Sequence, residues 1–107
     1  MDTATEKKIN LMDSLLKKIF EVIPEYNFED WSVFQYNIEP LYMDTILYVL
    51  DTLEIPRFIL AERFNYDIDE LTTILHKTYY SINLDKEYIE FYKKVKTKLK
   101  EYNIFII

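Results

Sequence analysis

The stretch at residues 59–75 reads ILAERFNYDIDELTTIL, and it decides the fold class. Apolar residues recur every three or four positions on both sides of Asn65 and Tyr66, as in two amphipathic helices. Asn adopts the left-handed backbone conformation more readily than most residues, so we expect a tight turn at Asn65. Asp67 and Glu70 have the spacing of a capping box, which marks the N-terminus of the second helix.

The same spacing resembles the helix-turn-helix motif. Ala61 stands where the motif has a small residue, Asn65 where it has the turn, and Asp67 where it caps the second helix. The positions where the motif has apolar residues are occupied by Phe64, Tyr66, Leu71, Ile74 and Leu75. The resemblance implies a helix-turn-helix-like unit at residues 56–82, whose second helix would enter the major groove of DNA.

The charges of that second helix oppose DNA binding. Asp67, Asp69 and Glu70 open it, where a DNA reader carries Arg, Lys, Asn, Gln or Ser. Because DNA affinity comes largely from Lys and Arg on phosphates, DNA binding would need the basic segment at residues 93–100. The candidate DNA-binding residues are Thr72, Thr73, Lys77, Lys93, Lys94, Lys96, Lys98 and Lys100.

The composition favours helices for the rest of the chain. Its 107 residues include no Gly, which supplies the positive φ of tight hairpin turns, so a β-sandwich or barrel is disfavoured. Periodicity, prolines and caps predict helices at residues 4–23, 28–36, 40–54, 56–64, 67–82 and 86–102. We therefore expect an all-α protein, a compact bundle of five to six short helices in a single domain at residues 1–107.

Three segments have distinctive apolar patterns. Residues 40–54 are apolar around most of the helix, which indicates a central helix with Asp44 and Asp51 on its one solvent-exposed edge. The tail at residues 103–107 is apolar and has to dock on the body or on a partner. The last helix has a seam, with steps of four and three, that would pack on the core or form a homodimer through residues 86–107. The seam consists of Tyr88, Tyr92, Val95, Leu99 and Tyr102.

The charge is distributed unevenly along the chain. The net charge is −6, yet residues 21–70 contain twelve acidic and two basic side chains, whereas residues 93–100 contain five lysines and no acid. Self-repulsion on this scale destabilises a fold, so we expect the acidic region to have a functional use. The candidate protein-binding acidic face consists of Glu25, Glu29, Asp30, Glu39, Asp44, Asp51, Glu54, Glu62, Asp67, Asp69 and Glu70.

Several classes of site are excluded or disfavoured. Without Gly, the chain cannot form the phosphate-binding loop of a P-loop or Rossmann protein. Without Cys, it has no disulfide and no thiolate metal site. His76 is the only histidine, and Ser14, Ser32 and Ser81 stand in no nucleophile motif. We therefore expect no enzymatic activity, no metal and no cofactor.

The sequence also predicts where the protein works. The N-terminal residues MDTATEKK are polar and lack the apolar core of a signal peptide. No apolar run approaches the roughly 20 residues that span a bilayer. We expect a cytoplasmic protein of the source or host cell, with no membrane partner.

Three functions remain open at this point. The first is a small acidic helical module that binds a basic protein through electrostatic complementarity. By analogy of size and charge, its target would be a nucleic-acid-binding enzyme, and its role that of an inhibitor of the viral counter-defence or immunity type. The alternative is a dimeric helix-turn-helix DNA-binding transcriptional regulator. The third is a structural oligomerisation unit, whose association would be driven by the apolar tail and the high aromatic content.

Overall fold

The computed structural model describes residues 3–23 and 39–106, and these residues form helices and no strands. The helices are α1 (Thr3–Phe20), α2 (Pro40–Thr52), α3 (Arg57–Phe64), α4 (Ile68–Leu84) and α5 (Lys86–Lys100). The all-α prediction is therefore confirmed for this part of the chain. The helix predicted at residues 28–36 lies outside the described residues.

Helix α2 forms the centre of the molecule. Every residue from Met43 to Leu50 is buried, and the helix contacts α1, α4 and α5. The other four helices each bury one apolar stripe, and all five contribute to the same hydrophobic core. Pro40 occupies the first turn of α2, where its missing N–H has no partner to lose, as the sequence predicts.

The connection between α3 and α4 has the predicted local geometry. Asn65 is left-handed, with φ of 59° and ψ of 42°, and the amide of Tyr66 donates to the carbonyl of Ala61 at 2.9 Å. The Asp67 carboxylate accepts from the Glu70 amide at 2.9 Å, while the Glu70 carboxylate accepts from the Asp67 amide at 3.3 Å. The turn and the capping box are confirmed, and the helix-turn-helix role of this pair stays a prediction.

Two further helix ends close in the same way without glycine. Glu54 follows α2 with φ of 67°, and Asn103 follows α5 with φ of 62°. In both places the amide of the next residue donates to the carbonyl five positions earlier, at 3.1 and 3.0 Å. This is the Schellman motif, which normally uses glycine at the left-handed position. At the ends of three described helices, the left-handed position that glycine commonly occupies is therefore taken by Glu54, Asn65 and Asn103.

A single residue joins α4 to α5. The Asp85 amide donates to the carbonyl of Ser81 at 2.9 Å, and its carboxylate accepts from the amide of Glu87 at 2.9 Å. Asp85 therefore closes one helix and caps the next, and the predicted cap is confirmed. The helix boundaries differ from the predicted ones by two or three residues, since α1 ends at Phe20, α4 continues to Leu84 and α5 ends at Lys100.

The seam of α5 packs within the chain. Its central residues Tyr92, Val95 and Leu99 are buried, and only Tyr102 at its end is exposed. A homodimer through residues 86–107 would therefore have to use other surfaces of that segment. In the tail, Ile104 and Ile106 pack against the core, whereas Phe105 is 64% exposed.

Candidate interaction surfaces

Six of the predicted acidic-face residues are exposed, and they lie at or beside helix ends or on α3 and α4. These residues are Glu39, Glu54, Glu62, Asp67, Asp69 and Glu70. Glu25, Glu29 and Asp30 lie outside the described residues. The acidic surface that the structure describes is therefore smaller than the eleven residues of the prediction.

Asp44 is not on a solvent-exposed edge, and this part of the prediction is wrong. The residue is only 7% exposed, because all sides of the middle of α2 are covered by other elements. Its Oδ2 atom accepts from the Tyr88 hydroxyl at 3.0 Å and lies 3.3 Å from Lys77 Nζ. A buried carboxylate needs such partners to offset its lost hydration. Asp44 therefore joins α2, α4 and α5 and is not available to a partner.

The Asp44 carboxylate affects the proton affinity of the groups around it. Its negative charge and its contact with the ammonium raise the pKa of Lys77. Burial and then the Asp44 charge raise the pKa values of Tyr88 and Tyr66. Lysine and tyrosine side chains are protonated at neutral pH without any shift, so the raised pKa values of these three residues extend the arrangement of a carboxylate facing protonated neighbours to higher pH.

Asp51 is half-buried and is paired within the chain. Its Oδ1 atom lies 3.1 Å from the Nε atom of Arg57. The other arginine of the protein, Arg63, pairs with Asp13 of α1 at 2.8 Å. Both arginines of the acidic region are therefore already neutralised by carboxylates near α1 and α2. The acidic residues at the start of α4 are left to face solvent.

The N-terminal end of α4 forms the first candidate surface, which we name the acidic end. It comprises Asp67, Ile68, Asp69 and Glu70, all exposed. Among residues 3–23 and 39–106, no basic side chain forms an ion pair with these three carboxylates. Backbone hydrogen bonding, chiefly from the Glu70 amide, lowers the pKa of Asp67 and keeps it charged. Ile68, 47% exposed, gives this end an apolar side chain among the charges.

The C-terminal half of α4 forms the second surface, which we name the aromatic end. Tyr80 and Leu84 are 72% and 74% exposed, and with Tyr79 and Asn83 they line a shallow groove of about 290 Å³. Tyr79 is fixed at the edge of the groove by an edge-on contact with the Tyr48 ring, 4.8 Å between centroids. Large apolar side chains that are exposed together mark protein contact sites.

The aromatic end was not predicted, although the sequence pattern of α4 contains a signal for it. The buried stripe of α4 is Leu71, Leu75, Thr78 and Ile82. At about 100° per residue, Tyr80 lies on the opposite side of the helix from that stripe. Leu84 lies close to Tyr80 on this opposite side. The stripe therefore indicates that Tyr80 faces away from the core, and the continuation of α4 to Leu84 extends this to that residue.

The residues predicted for DNA binding are only partly available. Lys77 is engaged by Asp44, and Lys98 is paired with Glu21 at 3.3 Å and Glu101 at 3.0 Å. Thr72 and Thr73 donate their hydroxyl hydrogens to carbonyls of their own helix, at 2.8 and 3.0 Å, and keep only acceptor positions. The remaining four, Lys93, Lys94, Lys96 and Lys100, are exposed and form no ion pair with a described carboxylate.

The third surface, which we name the lysine groove, lies between α5 and the C-terminal segment. It has a volume of about 420 Å³ and is lined by Lys93, Lys96, Thr97, Lys100, Ile104, Phe105 and Ile106. One wall is therefore cationic and the other apolar. The basic segment and the apolar tail, which are separate in the sequence, both contribute residues to the groove.

In the described part of the chain, no three side chains of His, Cys, Asp or Glu converge as metal ligands. None of the described helices is both long enough and apolar enough to cross a membrane. Comparison with protein-family models, with curated proteins and with solved structures finds no match.

Proposed function

We propose that the protein is a small helical module that binds another protein through the exposed side of α4, and that the partner presents a basic surface. The observation that carries the proposal is the aromatic end, where Tyr80 and Leu84 are more than 70% exposed on the same helix as the acidic end. Exposed apolar side chains supply the anchor of an interface, and flanking charges direct association and partner choice.

The chemistry of the acidic end narrows the class of partner. Its three carboxylates have no basic neighbour within ion-pair distance in the described residues, so their charge is available. Basic grooves that bind nucleic acids attract carboxylates for the same reason that they attract phosphates. The proposed role is therefore inhibition of a nucleic-acid-handling protein, of the viral counter-defence or immunity type.

The proposal is tested by affinity capture from a lysate of the source organism or of its host. The variant Glu62→Lys with Asp69→Lys reverses one exposed acid on α3 and one on α4, and Glu6→Lys with Glu90→Lys is the matched control. All four acids are exposed, and both variants change the net charge equally. We expect a basic protein that survives nuclease treatment to be captured by the wild type and the control, and to be lost with the Glu62→Lys, Asp69→Lys variant. Capture that is equal for both variants contradicts the proposal.

A second function, DNA binding by a helix-turn-helix unit, is favoured by one specific observation. Asn65 between α3 and α4 is left-handed and Asp67 caps the start of α4, and both are local features that the motif has at these positions. The electrostatics would have to come from Lys93, Lys94, Lys96 and Lys100. DNA binding at about 50 mM salt that is lost when these four are changed to Gln would support this function. Absence of binding at that salt concentration excludes it.

A further inference from the structure

The lysine groove is an unassigned site that combines positive charge with apolar surface. Lys93, Lys96 and Lys100 are spaced by three and four residues, so their side chains share one face of α5. The opposite wall is formed by Ile104, Phe105 and Ile106, of which Phe105 is 64% exposed. A fitting occupant therefore carries carboxylates or other anionic groups beside an apolar side chain.

The charge of the groove is not neutralised within the chain. Lys96 Nζ lies 5.4 Å from the centre of the Tyr92 ring, a cation–π contact that leaves its charge in place. No carboxylate in the described ranges pairs with Lys93, Lys96 or Lys100, although the protein has 19 acidic residues and 13 Lys and Arg residues. Like charges at this spacing destabilise a helix, and an anionic occupant relieves that repulsion.

The same chain presents a surface that matches the groove. The acidic end of α4 has three exposed carboxylates and, between them, the 47% exposed side chain of Ile68. Three carboxylates with one apolar side chain correspond to three ammonium groups beside an apolar wall. Both the charge and the apolar component are therefore complementary, which is the pattern that fixes register in protein interfaces.

We propose that the acidic end of one copy docks into the lysine groove of a second copy. Ile68 then packs against Ile104 and Phe105, and the carboxylates of Asp67, Asp69 and Glu70 lie on the three lysines. The contact joins two different surfaces, so it forms twice in a two-fold dimer or once per copy in a larger assembly. The inference does not rest on the proposed function, since its readout is the mass of the purified protein alone.

The first part of the test is the mass of the full-length protein in solution, measured by sedimentation at two salt concentrations. We expect an assembly of two or more copies at about 50 mM salt. At about 1 M salt the Debye length falls to about 3 Å, and we expect the same sample to be monomeric. A wild-type protein that stays monomeric at low salt and at about 0.5 mM protein concentration overturns the proposal. Two copies that dock with a dissociation constant in the micromolar range would be largely associated at that concentration.

The second part uses two variants that each remove one surface. The groove variant is Lys93→Glu, Lys96→Glu, Lys100→Glu, and the acidic-end variant is Asp67→Asn, Asp69→Lys, Glu70→Gln. The Asn and Gln substitutions keep the capping hydrogen bonds of α4, so this variant retains its fold. Each variant alone should be monomeric at low salt, with a dissociation constant raised by more than about a hundredfold.

The decisive sample is an equimolar mixture of the two variants. Each supplies the surface that the other lacks, so the mixture should associate at low salt although neither variant does so alone. The control variant Lys7→Glu, Lys86→Glu, Lys94→Glu makes the same charge change at exposed positions outside the groove and should keep the wild-type mass. Circular dichroism of each variant checks that the helices are intact.

Besides a monomeric wild type, three results would overturn the proposal. One is a mixture that remains monomeric. Another is a control variant that becomes monomeric as the groove variant does, since the loss of association would then be caused by the net charge and not by the groove. The third is an assembly that disappears on nuclease treatment, because the groove would then be holding nucleic acid and not a second copy.

Discussion

The Tyr88 hydroxyl donates a hydrogen bond of 3.0 Å to the buried carboxylate of Asp44, which lies 44 positions earlier in the chain. This bond and the ion pair with Lys77 are polar contacts of α2 with α5 and α4. Breaking a hydrogen bond to a charged group costs about 1.5–3 kcal/mol. The cluster therefore stabilises the centre of the bundle as well as satisfying Asp44.

A double-mutant cycle measures this contact. We expect Tyr88→Phe to lower the free energy of unfolding by about 2 kcal/mol, because the buried carboxylate loses one of its two partners. Asp44→Ala should cost about as much, and the double variant less than the sum, with a coupling of about 1 kcal/mol. Urea unfolding gives all four values. Tyr80→Phe, at a 72% exposed ring, is the control and should change stability by less than about 0.5 kcal/mol.

Alkaline pH should destabilise the fold through Tyr92. Burial raises the pKa of Tyr92 to about 12, and the neighbouring Tyr48 adds to this rise. In the unfolded chain a tyrosine has a pKa of about 10. The folded state therefore binds more protons than the unfolded state between about pH 10 and 12, and the free energy of unfolding decreases as the pH rises through this range. The contribution is fully present below about pH 10. We expect the urea midpoint to decrease from pH 9 to pH 11.

The variant Tyr92→Phe isolates this effect. It removes the titrating hydroxyl and keeps the ring, so the decrease in the urea midpoint between pH 9 and pH 11 should become smaller. Tyr80→Phe, at an exposed position, should leave the decrease as large as in the wild type. An unchanged pH dependence for Tyr92→Phe would assign the alkaline loss of stability to other tyrosines.

Glycine at position 54 should stabilise the protein. Glu54 has φ of 67°, a conformation that costs a residue with a Cβ atom roughly 1–2 kcal/mol and that glycine adopts without strain. After the larger entropy of glycine in the unfolded chain is subtracted, we expect Glu54→Gly to gain about 0.5–1 kcal/mol. Glu62→Gly within α3 is the control and should cost about 1 kcal/mol. Thermal or urea unfolding separates the two opposite signs.

Removing the aromatic end should affect binding and not folding. Tyr80→Ser and Leu84→Ser replace side chains that are more than 70% exposed, so stability should change by less than about 0.5 kcal/mol for each. If they anchor the partner, its affinity should fall more than tenfold, as it does for anchor residues of about 2 kcal/mol. Phe58→Ser, at a 59% exposed residue of α3, is the control. Retained affinity in the double Ser variant would remove this surface from the interface.

Local features of the fold could be predicted from the sequence. The turn at Asn65, the capping box of Asp67 and the cap at Asp85 depend on residues within three or four positions of one another. Their physics is complete in a short window of sequence, so their positions follow from residue type and spacing. The predicted positions of the helix ends were less accurate, because the last turn of a helix depends on tertiary contacts as well as on local preference.

The candidate surfaces depended on tertiary structure and were predicted only in part. The sequence places Asp44 on the polar edge of an apolar helix, and only the packing of α5 brings Tyr88 to it. In the same way, the basic segment and the apolar tail appear separate in sequence, whereas the folded chain places Lys100 and Phe105 in one groove. The exposed Leu84 was missed because the predicted helix ends at residue 82, two positions before it, whereas α4 continues to Leu84.

The one-residue joint at Asp85 determines how the surfaces of α4 and α5 are related. Its amide and its carboxylate are both committed to helix backbone, so the two helices share no flexible loop in which they could bend independently. The distance between the aromatic end and the lysine groove is therefore fixed by the packing of α4 and α5. A molecule that contacts both surfaces forms the second contact with little further loss of conformational entropy, because the two surfaces are preorganised relative to each other.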